Sequence, residues 1–150
     1  MMHRKVVLRV VSKLLIPLIM VFALYVQFHG DFGPGGGFQA GVIFAAALIL
    51  YALIFGVGTA RRVVPPKVSR ALLAIGVLLF AGTGVVGLIL GGSFLNYSVL
   101  AESPLIGQHL GILLVELGVG ITVAASMLTI FFTFAGQSDI GGEMDGKDGR

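Results

Sequence analysis

The chain alternates between long apolar runs and short polar breaks. The apolar runs cover roughly residues 14–28, 38–57, 71–90 and 109–134, and the first has apolar character reaching back to Val6. Each is close to the length of about 20 residues that carries an α-helix across roughly 30 Å of hydrocarbon. No segment of about ten residues alternates apolar and polar positions, so a membrane β-barrel is excluded. The pattern predicts an all-α integral membrane bundle of four transmembrane helices, with one domain over residues 1–135. Residues 136–150 follow as a charged, glycine-rich tail with Asp139, Glu143, Asp145 and Asp148. That composition predicts a cytoplasmic segment that is disordered or held by a partner.

The breaks differ in character. Residues 58–70, GTARRVVPPKVSR, read as a loop because Pro65-Pro66 stops any helix. Residues 91–108 read as a second loop, with Phe94 and Tyr97 placed for the headgroup level. A basic start before an apolar core could be a signal peptide, but YVQFHGD offers no small-x-small cleavage site, so a retained first helix is expected.

Composition agrees with a lipid environment. Of 150 residues, 57% are hydrophobic and 11% charged, with mean hydropathy +1.03, whereas soluble domains carry about 25% charged residues. The net charge of +3 is no nucleic-acid signal, because the basic residues flank the apolar runs. Arg4, Lys5, Arg9 and Lys13 precede the first run, and Arg61, Arg62, Lys67 and Arg70 lie between the second and third. The other two breaks have no Lys or Arg. Since positive residues stay in the cytoplasm, both termini are predicted there. With no cysteine, thiolate metal sites are excluded, and three scattered histidines suggest no zinc site. No metal or other cofactor is expected.

The most distinctive break is FHGDFGPGGGFQAG, residues 28–41. Pro34 with Gly35, Gly36 and Gly37 allows no unbroken helix. His29 and Asp31 beside it can titrate or bind an ion at a membrane edge, and Phe38 with Phe32 brackets the glycines as anchors between helices. Gly37, Gly41 and Ala45 then recur at intervals of four, a spacing that lets another helix approach closely.

The last run carries Glu116, roughly 10 Å into the span counted from His109 at 1.5 Å per residue. An ionised carboxylate there costs about 2.5–3.5 kcal/mol, so it is neutral, paired or wet. Gly111, Gly118, Thr122, Ala125 and Thr129 form a seam of small residues suited to close packing. Glu116 lies about 140° from that seam at 100° per residue. His109, seven residues earlier, shares its face. Glu116 and His109 are therefore expected to face a second partner or a hydrated path, with Glu116, His109, His29 and Asp31 as ion-pathway candidates.

Two motif matches fail. GGGFQA fits G-x-G-x-x-A but lacks the preceding strand and the acid about 20 residues on. No Lys-Ser/Thr pair follows, which rules out a Walker A loop, and no Ser-His-Asp set is present. The chain is not expected to be an enzyme.

FHGDFGPGGGFQAG followed by an apolar helix resembles the signature of the MnhB/MrpB family, small membrane subunits of the Mrp-type, multisubunit Na+/H+ antiporters. GQHLGILLVELGVGITVAASM, residues 107–127, resembles that family's last helix, and the likeness covers roughly residues 14–134. The resemblance implies a multi-pass protein in the bacterial cytoplasmic (inner) membrane, beside partner subunits of the A, C, D, E, F and G types. The complex would exchange Na+ and H+, with the large subunits as the main machinery and this chain structural or auxiliary. Homologous subunits occur in membrane-bound hydrogenases and ion-pumping respiratory complexes. Residues 28–33, Phe-His-Gly-Asp-Phe-Gly, are closer to the hydrogenase-associated pattern than to Gly-His-Asn. A stand-alone four-helix drug-efflux protein is a weaker match, since those place their carboxylate in the first helix and use Trp, which is absent here.

Overall fold

A computed structural model describes residues 2–30 and 35–145, with side chains over 6–30 and 35–136. Five α-helices follow one another: α1 (Met2–His29), α2 (Gly37–Phe55), α3 (Val57–Val63), α4 (Pro66–Ile89) and α5 (Pro104–Asp145). No strand occurs among the described residues. Four segments are long and apolar enough to cross a membrane: Val6–His29, Gly37–Phe55, Pro66–Ile89 and Pro104–Gly136.

The apolar runs find the spans but not their ends. Residues 58–70 are not a loop. Gly56, at φ 97°, ends α2 in a conformation that favours glycine, and α3 starts at the next residue. Pro65 is extended, as a residue before proline prefers, and Pro66 opens α4 instead of stopping a helix. At the first helical position its missing N–H costs nothing and its fixed φ suits the helix. Pro104 opens α5 in the same way, ahead of the sequence estimate. At the far end α5 stays helical to Asp145, so the tail begins as a continuation of the last helix.

α1 runs through Pro17 without a break. α4 ends in a Schellman motif, in which Gly92 N–H bonds Gly87 O at 3.0 Å and Gly91 N–H bonds Leu88 O at 3.1 Å. Gly91, at φ 85°, supplies the left-handed turn. The loop that follows folds back on the hairpin. The Phe94 ring fills the space over Gly84, and the Tyr97 ring fills the space over Gly111. Both rings pack on helix glycines, and Gly111 serves a loop aromatic, not a neighbouring helix.

α5 is the axis of the bundle, packing against α4 on one side and α2 on the other, while α1 packs mainly on α2. The interior is made of small residues: Ala23, Ala40, Ala45, Ala47, Ala52, Ala60 and Ala125 are buried, with few large side chains among them. Large apolar residues face outward instead, for example Leu14 at 67% exposure and Leu78 at 69%. This inversion suits lipid, where apolar surface gains nothing by hiding and helices associate through close van der Waals contact.

Glycines set the two main interfaces. A Cβ on Gly41 would lie 2.6 Å from Gly120 O of α5, and one on Gly37 would overlap Glu116 O. On the other side, a Cβ on Gly118 would lie 2.9 Å from Gly76 O, and Thr122 fits over Gly76. Ser69 of α4 donates to or accepts from Thr129 at 2.7 Å and bonds Ala125 O at 3.0 Å. The seam of Gly118, Thr122, Ala125 and Thr129 thus meets α4, while the stripe of Gly37, Gly41 and Ala45 lies on the side of α2 that meets α5 and the buried core.

Gly30 and Gly36, just past the end of α1 and just before α2, are level with Glu116, twelve residues into α5. The first residue of α5 therefore lies about 18 Å from them along the helix axis, at 1.5 Å per residue.

Candidate functional site at the glycine corner

α1 must stop where Gly30 follows His29, and α2 can start only after Gly36. Gly36 sits at φ 124° and ψ 177°, a region essentially reserved for glycine. Its N–H bonds Val26 O at 3.3 Å and its carbonyl accepts from Ala40 N at 3.0 Å, which stitches the ends of the two helices together.

The Glu116 side chain enters this corner. A Cβ on Gly30 would lie 2.7 Å from Oε2 and 2.8 Å from Oε1, and one on Gly36 would lie 3.1 Å from Oε1. The carboxyl group therefore occupies space that exists only because both positions lack side chains. The face of α5 opposite the small seam meets a second partner within the same chain, the ends of α1 and α2 at Gly30 and Gly36. A carboxyl group against non-helical backbone at the edge of a span can take up and release a proton, or hold a cation, more cheaply than one facing lipid.

The other candidates are distributed around this group. Asp31, Phe32 and Pro34 lie outside the described residues. Gly35, Gly36 and Gly37 form the start of α2 and the turn before it. Phe38 is 62% exposed, so it points outward and does not anchor the corner between helices. The His29 ring stacks on Tyr25, with centroids 5.2 Å apart and planes at 17°, on an exposed face of α1. His109 is exposed and shares Glu116's side of α5 two turns nearer its start, about 10 Å away along the axis.

Sequence reasoning missed Gln27. It is 5% exposed, and its Oε1 packs into the gap left by Gly120, one turn along α5 from Glu116. Its Nε2 is buried with no hydrogen-bond partner among the described residues. Buried amides are nearly always paired, so an orphan donor beside a carboxyl-bearing face is unusual. The available signal was an amide inside an otherwise apolar run. Gln27 also borders an apolar cavity of about 300 Å3 between α1, α2, α4 and α5.

The family model described as "Domain related to MnhB subunit of Na+/H+ antiporter" matches residues 7–129. The chain belongs to the MnhB family. A Staphylococcus haemolyticus protein carrying the name antiporter subunit mnhB2 is 37% identical over 139 residues, covering 91% of this chain and 98% of its own. A protein of the same name from Staphylococcus aureus strain Newman is 36% identical over the same shares. The matched region of this MnhB-family chain includes the glycine corner, Gln27 and Glu116. The chain is thus a multi-pass bacterial membrane protein and a cation/proton antiporter subunit, a component of a multisubunit transporter.

Proposed function

We propose that this chain is an auxiliary component of a heteromeric Na+/H+ antiporter, in which Glu116 at the glycine corner exchanges protons or cations with the path used by the larger subunits. The packing of the Glu116 carboxyl group against Gly30 and Gly36 carries this reading. Two glycines packed together against one acid make a prepared niche, and intramembrane acids are functional sites by default. His29, Asp31 and His109 serve as the approach to that niche. The basic residues around α3 and at the start of α1 face the cytoplasm and the corner faces outside, as the distribution of Lys and Arg requires. Partner subunits of the A, C, D, E, F and G types supply the main translocation machinery, and the bilayer surrounds what they leave uncovered.

The test is Glu116→Gln in the intact complex, reconstituted in liposomes. The amide keeps the volume of the carboxyl group, so the subunits should co-purify in wild-type ratio. Exchange should fall about tenfold or more, as for loss of a proton-transfer group. A complex that falls apart would make Glu116 a packing residue and end the proposal. Residues 28–33 favour a second setting, the membrane arm of a hydrogenase or respiratory complex, which genes for metal-site subunits beside this one would support.

A further inference from the structure

A second cavity lies at the opposite end of the bundle from the glycine corner. It has a volume of about 490 Å3 and is lined by Arg61 of α3, by Pro66, Ser69 and Arg70 of α4, and by Thr129, Phe132, Thr133 and Gly136 of α5. Two guanidinium groups and three hydroxyls face one space, and no acidic side chain lines it among the described residues. The basic residues here read in the sequence only as a topology signal; the fold gathers two of them around a cavity.

Arg61 is held in place. Its Nη2 donates to Phe132 O at 2.6 Å, and its guanidinium lies 5.9 Å from the centre of the Phe132 ring. Gly136 leaves the room this contact needs, since a Cβ there would run into the guanidinium. Arg61 Nε is buried and has no partner among the described residues. Arg70 donates Nε to Pro66 O at 3.3 Å, its one hydrogen bond among the described residues. The first turn of α4 carries no acidic residue, so its helix dipole adds to the positive field. The hydroxyls of Ser69, Thr129 and Thr133 already donate to backbone carbonyls, so the recognition elements are a fixed guanidinium and a second one beside it, the groups that bind a phosphate most strongly.

We propose that this cavity binds the phosphate of an anionic phospholipid in the leaflet at the basic face of the bundle. The site lies where the spans end, which is the level of headgroups. Val77 of α4, seven residues on from Arg70, and Ile130 of α5, three residues before Thr133, are exposed above it and offer an acyl chain an apolar track. The inference does not depend on the role of Glu116.

The test uses the purified complex and native mass spectrometry with added phosphatidylglycerol or phosphatidylcholine. Wild type should retain phosphatidylglycerol in preference to the zwitterionic lipid. Arg70→Gln with Thr133→Val leaves the Arg61 bond intact and should weaken that retention roughly fivefold, the effect of one basic residue near a charged surface. Arg9→Gln removes one charge outside the cavity and should change retention less than twofold. Equal losses in the two variants would reduce the effect to general surface charge and overturn the site. Equal retention of both lipids would overturn it too. In a third arm, inorganic phosphate should not displace the bound lipid; if it does so at millimolar concentration, the ligand is a free anion and the lipid assignment fails.

Discussion

Gly41→Ala offers the most direct test of how this bundle is held together. The added methyl group would lie 2.6 Å from Gly120 O and 2.9 Å from Val123 Cβ. Ordinary contacts between such atoms are about 3.5–4.0 Å, so α2 and α5 must separate by roughly 1 Å. Both neighbours belong to a helix backbone or to a β-branched side chain, and neither can swing aside. Forcing a methylene into a packed interface costs about 1–3 kcal/mol, a factor of roughly 5 to 150 in the folded population. Gly82→Ala is the matched control. It lies inside α4, and a Cβ there meets nothing within 4 Å. Alanine is favoured over glycine in a helix interior by about 0.8–1.0 kcal/mol, so this change should be neutral or stabilising. The assay is the fraction of intact complex recovered from a sizing column after heating. Gly41→Ala should lower the midpoint by on the order of 5 °C, with the control unchanged or raised. Equal midpoints for the two variants would show that close approach of α2 to α5 is not what stabilises the bundle. Displacement of α2 also draws Gly36 away from Glu116, so exchange should fall with stability in Gly41→Ala alone.

Gly36→Val should impair assembly more than any single change in the middle of α2, because φ 124° is closed to a β-branched residue at a cost of about 1–3 kcal/mol; wild-type yield of complex would contradict this. Orientation can be read by single-cysteine labelling, since the chain has no native cysteine. In intact cells, Lys67→Cys should resist an impermeant maleimide and Ser93→Cys should react, and the reverse pattern would invert the proposed topology.

How much of this was legible in the sequence varied with the physics involved. The four spans were, because in a bilayer the length of an apolar run and the length of a helix are tied to the same thickness. Their ends were not. Pro66 and Pro104 each open a helix, and only the conformation of the preceding residues distinguishes opening from stopping. α3 was hidden because seven residues with two arginines carry no periodic signal, and what fixes it is the distant Phe132 carbonyl. The stripe of Gly37, Gly41 and Ala45 could be read from spacing alone, as could the opposition of Glu116 to the small seam. Which helix each face meets could not, since the parallel register of α2 on α5 and the antiparallel register of α4 on α5 depend on contacts such as Gly41 with Gly120 and Ser69 with Ala125. Gln27 needed the third dimension as well, because its isolation appears only once Gly120 is beside it.

The low placement of Glu116 along α5 has a consequence for what must surround it. The end of α1 and the start of α2 meet α5 about 18 Å past its first residue. The turns of α5 before that level carry exposed Leu105, Ile106 and Leu110. Apolar surface of that extent is covered by lipid tails or by a neighbouring subunit, and on our proposal that neighbour borders the path by which a proton or cation reaches the acid.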